Sequence, residues 1–516
     1  MRKFLLLIAV ALFSTATYAQ LWSTSISAVA EGDKASQNSP AAMDKDGNLY
    51  VTGTKTLPIE FAGNEVGGED AGAYIAKYNA EGVEQYAIEL IGSIDITAIT
   101  TDAENNLYVA GSFAGGAMIQ GVTGEPKTIS NEELNSKTAT FIAKYSAEGE
   151  LLAVKSYKAE IELETFFDEI WEEYVEGING YAYIGSSANV AIKKIVVEGE
   201  KVYAEYKFNG NVALDENTAL VPNFILVWFM YYNDCPSSAV VSFDANLENP
   251  SKIAELIAAE EAGDATCIDS FDFTVDGENV YLAAYGKGNL VLTTSEGSES
   301  FDFGFDGMGS DEKGALLSNV GVKSVKFSNI ANSEYNSYNT IENMDVCGGN
   351  IYIAGTFGAT SAFDNEIVAT GSSDIFVTSV NASELSVNWV VANAFDESEI
   401  EDYKETVAGV VFGNEAIIVL APVAKNYTVS YEGVIAETEE AIAATAVAYN
   451  ANNIAVINYT NETVVTMYDS ALTTTAIESV VAEAENNVIY DITGRRVEKI
   501  TNAGIYIVNG NKVLVK

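Results

Sequence analysis

The chain has no histidine, only three cysteines and only seven prolines. Because histidine is absent, Ser-His-Asp triads, Cys-His dyads and histidine-bearing zinc sites are excluded. The three cysteines, Cys235, Cys267 and Cys347, are too few for a disulfide scaffold, since at most one pair can form. Cys235 and Cys267 are the nearest pair in sequence. Either they form a disulfide or the cysteines are buried thiols.

Cationic side chains are also scarce. The chain has 27 Lys and Arg against 74 Asp and Glu, a formal net charge of −47. So acidic a surface repels phosphate backbones and anionic lipid, because binding to them rests on cationic neutralisation. We therefore expect no nucleic-acid partner, whereas divalent cations and basic partners remain compatible with the charge.

Long apolar runs are missing except near the N-terminus, where MRK is followed by FLLLIAVALF and then STATYA. A basic N-terminus, a short apolar run and a stretch of small residues before the cleavage site predict a secretory signal peptide at residues 1–19, cleaved after Ala19. The run is too short to span a bilayer. We expect a mature chain that leaves the cytoplasm and does not insert into a membrane.

Two short motifs alternate along the chain. The first, DKDGNLYVTG at Asp44–Gly53, returns at Asp102–Gly111 and Gly348–Gly355, and the second is YIAKYNAEG at Tyr74–Gly82. Weaker copies of the first motif lie at Gly199–Tyr206, Gly277–Ala284 and Gly413–Leu420. Echoes of the second lie at Phe141–Gly149, Val240–Leu247, Lys323–Asn329, Ile375–Ser383 and Thr445–Asn452. Each motif combines a turn of Asp, Asn and Gly with a strand of β-branched and aromatic residues, and so predicts a β-hairpin.

Six pairs of hairpins predict an all-β fold, a β-propeller of six four-stranded blades over residues 20–470, with seven blades as the alternative. At GNLYVTG and NNLYVAG the chain resembles the β-propeller repeat families of secreted bacterial proteins. That resemblance implies the fold and no particular chemistry. Ring closure is left open, because Leu21–Ser27 and Ile454–Tyr459 both compete for the same place in the last blade.

Asp44, Asp46 and Asn48 have the alternate acidic spacing of calcium loops, which makes Ca²⁺ a candidate ligand. The bidentate glutamate that such loops carry downstream is missing at the required distance. The same residues are also those that hairpin turns select, so a purely structural turn is the alternative interpretation.

A second candidate site is the acidic aromatic segment FFDEIWEEYVEG at Phe166–Gly177. Its aromatic rings could stack on a sugar while its carboxylates bond hydroxyls or, as a pair, act on a glycosidic bond. A packed loop explains the segment equally, because acids are abundant throughout the chain. The residues concerned are Asp168, Trp171, Glu172, Glu173 and Tyr174.

The C-terminal segment differs in amino-acid composition and in charge from the rest of the chain. From Val481 onward it has five Lys and Arg against four Asp and Glu, and it predicts three short strands. Residues 471–516 resemble a linker followed by the C-terminal sorting domain of the Bacteroidetes type IX (Por) secretion system. The resemblance implies that the secretion translocon recognises the tail; a last propeller hairpin is the alternative. The matching residues are Tyr490, Asp491, Gly494, Arg495, Arg496, Gly504, Tyr506, Asn509, Gly510, Lys512 and Lys516.

These features predict a secreted or cell-surface binding module for carbohydrate or protein, exported through the periplasm and without catalytic residues. Two alternatives stay open: an Asp/Glu-dependent polysaccharide hydrolase or lyase, and a structural surface spacer. No cofactor other than Ca²⁺ is expected.

Overall fold

The computed structural model describes residues 20–26, 39–68, 71–131, 136–160, 188–223, 225–227, 230–232, 237–259, 266–303, 313–329, 339–358, 361–368, 374–393, 407–413, 416–420, 426–437, 444–459, 463–469, 489–491, 496–497, 504–508 and 511–515. All regular structure within these ranges is β, as the sequence predicts. The described residues contain no helix long and apolar enough to cross a membrane.

The strands are short and separated by turns rich in Asp, Asn and Gly. In the first half of the chain they are β1 Gln20–Ile26, β2 Ala41–Met43, β3 Leu49–Lys55, β4 Ile59–Phe61, β5 Asn64–Val66, β6 Gly72–Tyr78, β7 Glu84–Thr101, β8 Leu107–Ile119, β9 Lys127–Asn131, β10 Ser136–Tyr145, β11 Leu151–Tyr157, β12 Ala188–Glu198, β13 Lys201–Phe208, β14 Val212–Ala213, β15 Ala219–Leu220, β16 Ile225–Val227, β17 Met230–Tyr232, β18 Ser237–Asp244 and β19 Ser251–Ala258.

The second half continues in the same way. Its strands are β20 Cys267–Asp276, β21 Asn279–Lys287, β22 Asn289–Thr294, β23 Gly297–Asp302, β24 Lys313–Asn319, β25 Lys323–Asn329, β26 Thr340–Cys347, β27 Asn350–Phe357, β28 Ser361–Ala362, β29 Asn365–Glu366, β30 Asp374–Asn381, β31 Val387–Asn393, β32 Gly409–Phe412, β33 Ala416–Leu420, β34 Asn426–Ser430, β35 Ile435–Glu437, β36 Ala446–Tyr449, β37 Asn453–Tyr459, β38 Thr463–Asp469, β39 Ile489–Asp491, β40 Arg496–Val497, β41 Gly504–Val508 and β42 Asn511–Val515.

Strand pairing within the described ranges builds seven four-stranded antiparallel units, here called sheets I to VII. From the inner to the outer strand they are β2-β3-β6-β7, β7-β8-β10-β11, β12-β13-β18-β19, β20-β21-β24-β25, β26-β27-β30-β31, β32-β33-β34-β35 and β36-β37-β38-β1. The long β7 is shared, because its first part pairs with β6 and its second part with β8. A last sheet, β40-β39-β41-β42, is formed within the tail.

The seven units form a closed ring. Each inner strand contacts the inner strand of the next sheet in the order β2, β7, β12, β20, β26, β32 and β36, and β36 contacts β2 again. The N-terminal strand β1 pairs antiparallel with β38 and completes sheet VII, with Trp22 opposite Met467. A closed ring of four-stranded antiparallel sheets is a β-propeller, so the predicted fold class is confirmed.

Seven four-stranded sheets lie within the described ranges, one more than the six blades predicted and equal in number to the alternative of seven. Thr445–Asn452, which resembles the second motif in sequence, contains the inner strand β36, and Lys323–Asn329 is the outer strand β25. Ile454–Tyr459 lies in β37, the second strand of sheet VII, so it does not compete with β1. The difference arises because turn chemistry looks alike wherever a hairpin reverses, whatever the position of its strands in a sheet.

Alternation of side chains along the strands explains the apolar runs in the motifs. Val51 of β3 packs into the cluster between sheets VII and I, while its neighbour Tyr50 packs into the cluster between sheets I and II. Successive residues of a strand point to opposite faces, so a strand between two sheets is buried on both. Seven apolar clusters of this kind lie between the seven pairs of neighbouring sheets.

The two ends of the ring differ. Because the strands alternate in direction, the turns from first to second and from third to fourth strand all lie at one end, here called the turn end. The connections from second to third strand lie at the opposite end, here called the cavity end. Small extra hairpins occur in those connections: β4-β5, β14-β15, β16-β17, β22-β23 and β28-β29. The hairpin β22-β23 extends sheet III by pairing with β19.

Candidate functional site

The turn of the first motif is organised around one carboxylate. Asp44 is fully buried, and its Oδ1 accepts hydrogen bonds from the backbone N–H of Asp46 at 3.0 Å and of Asn48 at 2.9 Å. Its Oδ2 accepts one from the Asn48 side-chain amide at 2.8 Å. Asp102 repeats this arrangement with Asn106. The motif thus specifies a turn in which the aspartate side chain bonds its own backbone.

Neighbouring turns are also linked to each other. The Asn105 amide donates to Asp46 Oδ2 at 2.6 Å, and the Asn450 amide donates to the Asp44 carbonyl at 2.9 Å. Among the described residues, no group of three or more Asp, Glu, Cys or His side chains is arranged to hold a metal ion. Asp44, Asp46 and Asn48 do lie together, in one turn, and Ca²⁺ binding by them stays a prediction.

The lysine of the second motif connects one blade to the next. Lys77 Nζ donates to the Ala147 carbonyl of the next sheet at 2.7 Å and lies 5.0 Å from the centre of the Tyr50 ring. Lys144 donates in the same way to the Ala245 carbonyl at 2.8 Å. Charged donors make the stronger hydrogen bonds of proteins, and both lysine ammonium groups also lie over aromatic rings, Lys77 over Tyr50 and Lys144 over Tyr108. This motif therefore holds neighbouring blades together.

Aromatic residues of the outer strands strengthen the same contacts. Trp22 Nε1 donates to the Ala80 carbonyl at 3.0 Å, and Trp389 Nε1 donates to the Tyr431 carbonyl at 3.1 Å. The Trp22 ring lies against Gly82, where the backbone has φ of 80° and an added Cβ would come within 2.6 Å of the ring. Glycine is required in this turn both for its backbone conformation and for the close approach of the ring.

Several predicted sites fall partly or wholly outside the described residues. Asp168, Trp171, Glu172, Glu173 and Tyr174 all lie outside them, as does Cys235. The Sγ of Cys267 donates to Asp269 Oδ1 at 3.1 Å, and the Cys235–Cys267 disulfide stays a prediction.

The predicted tail strands are present, with β40 as a further short strand. Tyr490 and Asp491 lie in β39, Arg496 in β40, Gly504 and Tyr506 in β41, and Lys512 in β42. The sorting residues Gly494, Arg495, Asn509, Gly510 and Lys516 lie outside the described ranges.

Four consecutive inner strands share an irregularity that the sequence analysis missed. In β7, β12, β20 and β26 the pairing register slips by one residue directly after an isoleucine. The extra residues are Thr97, Lys193, Asp269 and Glu342. A β-bulge of this kind turns a side chain away from the regular alternation and is common beside functional sites. In contrast, the described inner strands of sheets I, VI and VII pair without a slip.

All four bulge residues line one cavity of about 550 Å³ at the centre of the ring. The cavity lies toward the cavity end, where the inner strands begin. Its volume falls within the range of small-molecule sites, which is about 300–1,000 Å³. Hydroxyl and amide groups complete the polar lining, among them Ser238, Ser270, Thr340 and Asn343.

An ion pair between the half-buried Lys194 and the buried Asp272 crosses the cavity wall from sheet III to sheet IV. Lys194 Nζ lies 2.8 Å from Asp272 Oδ1 and 3.0 Å from its Oδ2, and it donates to the Met344 carbonyl at 3.2 Å. Burial raises the pKa of Asp272 despite the opposing effect of Lys194. The pair joins three successive sheets, because Met344 belongs to sheet V.

Glu205 lines the same cavity and lies opposite Lys194 in the strand register. Burial, and secondarily the Asp272 carboxylate, raises the pKa of Glu205 from its usual 4.5 to about 8, although Lys194 acts against the shift. Glu205 is therefore mostly protonated at neutral pH and can donate a hydrogen bond.

The comparisons with known proteins concern the fold. No model of a known protein family matches the chain, and no curated protein matches it. Among solved structures it is similar to BamB from Moraxella catarrhalis, with a TM-score of 0.36 and 12% identity, covering 88% of this chain and 100% of that one.

Two further solved structures are similar at the same level. The quinohemoprotein alcohol dehydrogenase from Comamonas testosteroni has a TM-score of 0.39 and 9% identity, covering 89% of this chain and 77% of that one. The α-L-arabinanase from Penicillium chrysogenum has a TM-score of 0.37 and 10% identity, covering 88% and 99%.

Proposed function

We propose that this protein is an extracellular binding module that takes its ligand into the central cavity of the propeller. One observation carries the proposal: four consecutive inner strands bulge, and each extra residue lines that cavity. A bulge interrupts the strand pairing, so four of them around one space favour a purpose beyond the fold.

The cavity suits binding for two further reasons. Most of its lining residues belong to strands, chiefly the inner strands of the ring, and sites built on strands are more precise than sites built on loops. Its lining also carries both signs of charge, with Lys193, Lys194 and Lys207 on one side of the balance and Asp269 and Glu342 on the other. The chain as a whole has a net charge of −47, so three lysines around one cavity stand out from it. Such a lining favours specific polar contacts with a ligand.

The test is to screen the full chain against an array of glycans and short peptides. We expect at least one class to bind, and binding to weaken in Lys193→Ala and Glu342→Ala. Matched controls are Lys201→Ala and Glu278→Ala, because both residues are exposed and lie at the turn end of sheets III and IV. Binding that is equal in all four variants would place the site elsewhere. No binding at all would favour the structural spacer.

A second candidate function is a polysaccharide hydrolase, favoured by the raised pKa of Glu205 in a cavity with other carboxylates. A general acid is most effective when its pKa lies near the working pH. Product release from a polysaccharide panel, lost in Glu205→Gln, would establish this function. Binding without turnover would leave the chain a binding module.

We further propose that the chain is exported to the cell surface or the medium through the periplasm, by a type IX secretion translocon that binds its tail. The support is the resemblance of residues 486–516 to the sorting domain. Deleting Asn486–Lys516 should leave the protein in the periplasm, detected by fractionation. A control deletion within Ala471–Ala482 should leave export unchanged. Normal secretion without the tail would overturn this route.

A further inference from the structure

Charges around the cavity are segregated by sheet. The three lysines, Lys193, Lys194 and Lys207, belong to sheet III, whereas Asp269 and Asp272 belong to sheet IV and Glu342 to sheet V. The cavity therefore has a cationic wall and an anionic wall. Glu205, on the cationic wall, is mostly protonated at neutral pH because of its raised pKa and adds little negative charge there.

Part of this charge is already neutralised inside the protein. Lys194 and Asp272 form the ion pair that crosses between sheets III and IV. In the part of the chain that the structure describes, Lys193, Lys207 and Glu342 have no ion-pair partner. Lys193 and Glu342 are exposed and Lys207 is half-buried, so all three side chains remain accessible from the cavity.

Both exposed charges are placed by bulges. Lys193 is the extra residue of β12, and Glu342 is the extra residue of β26, two sheets further around the ring. Without the bulge each position would follow the regular alternation of its strand. Opposite charges are thus presented from separate walls of one cavity by the same structural device.

We propose that the ligand of this cavity is dipolar, carrying an ionised carboxylate toward Lys193 and Lys207 and an ionised amine toward Glu342, as a short peptide with free ends does. This inference rests on the proposed function, because it names the ligand class of the same site. A neutral sugar would displace the water around these charged side chains but would bring no opposite charges to compensate them. A simple anion or cation would satisfy one wall and be repelled by the other.

The experiment uses calorimetric titration of the full chain with three probes of nearly equal shape: alanyl-alanine, its N-acetyl form and its C-terminal amide. The first carries both charges, the second only the negative one and the third only the positive one. We expect alanyl-alanine to bind about tenfold more tightly than either capped form, a difference of about 1.4 kcal/mol. Equal binding of the three probes, or no binding of alanyl-alanine, would overturn the proposal.

Charge reversal sharpens the test. Lys193→Glu should shift the preference to the amide, Glu342→Lys should shift it to the N-acetyl form, and the double variant should recover alanyl-alanine because the ligand can bind in reverse. A double variant no better than the single ones would overturn the proposal. Unfolding curves of each variant would verify that the ring is intact.

The two experiments distinguish a failure of the proposed binding module from a failure of the proposed dipolar ligand. Array binding of a neutral glycan that Lys193→Ala and Glu342→Ala weaken, together with equal binding of the three dipeptide probes, would leave the binding module standing and remove the dipolar ligand. If the cavity variants change neither assay, the proposed site itself is wrong.

Discussion

The turn end and the cavity end of the ring use the same strands in different ways. At the turn end the sequence repeats, and the Asp44 and Lys77 side chains form their hydrogen bonds within the protein. At the cavity end the corresponding positions differ from blade to blade: Thr97, Lys193, Asp269 and Glu342 occupy one bulge each. Repeated residues therefore build the scaffold, whereas Lys193 and Glu342, which occupy the repeated bulge position and have no ion-pair partner among the described residues, are the ones proposed to bind a ligand.

The largest effect is expected from removing the strand that closes the ring. Deleting Gln20–Ile26 would leave sheet VII with three strands and expose the edge of β38. We expect a loss of roughly 5 kcal/mol or more in the free energy of unfolding, since the buried Ile26, the half-buried Trp22 and a full strand ladder are removed.

Chemical denaturation of the deleted and intact chains would measure this loss. The control retains the strand and replaces only exposed Gln20 and Leu21 by alanine, which should cost little. If the deletion is as stable as the control, β1 does not close the ring.

The next largest effect on the free energy of unfolding is expected at Glu205, and its size depends on pH. Its pKa is raised in the folded state to about 8, so folding is favoured while it is protonated and that advantage is lost as pH rises from about 4.5 to 8. The upper bound is roughly 5 kcal/mol, because one pKa unit corresponds to about 1.4 kcal/mol. Glu205→Gln should remove this part of the pH dependence and be more stable than the parent near pH 8.

Unfolding free energies measured at roughly pH 5, 6.5 and 8 would show the difference. Glu278→Gln, exposed at the turn end of sheet IV, is the matched control and should follow the parent profile. Parallel profiles for Glu205→Gln and the parent would mean that Glu205 is charged in the folded protein.

A smaller loss in the free energy of unfolding is expected from substitutions at the turn end. Asp44→Ala removes the acceptor of three hydrogen bonds within one turn and should cost about 2–4 kcal/mol. Asp46→Ala removes only the acceptor for Asn105, at an exposed position, and should cost less than about 1 kcal/mol.

The comparison of the two aspartate variants by denaturation separates a turn from a metal site. If Ca²⁺ binds here, millimolar Ca²⁺ should stabilise the parent, and both variants should abolish that gain. Stability independent of Ca²⁺, with unequal costs for the two variants, is the outcome expected of a turn.

The smallest effect on stability is expected at Glu342, an exposed bulge residue of the cavity. Glu342→Ala removes an exposed side chain that has no ion-pair partner among the described residues, and should change the free energy of unfolding by less than about 0.5 kcal/mol. The same variant should weaken ligand binding. A large loss of stability in this variant would mean that the bulges stabilise the scaffold. The cavity end would then not differ from the turn end in its role.

The sequence by itself determined the repeat, the strand chemistry and the class of fold. Turn residues such as Asp44, Asn48 and Gly82 act locally, so their pattern can be read from neighbouring residues. The alternation of Tyr50 and Val51 likewise reports a strand that is buried on both faces.

Only the tertiary structure decided how many sheets there are, how the ring closes and where the bulges fall. The pairing of Trp22 with Met467 joins residues from opposite ends of the chain, and no local pattern specifies that partner. A bulge is likewise a relation between two strands, because the extra residue is defined by the register of its partner. The isoleucine before each bulge is the one sequence feature that the four bulges share. It can be recognised only after the inner strands have been aligned with one another.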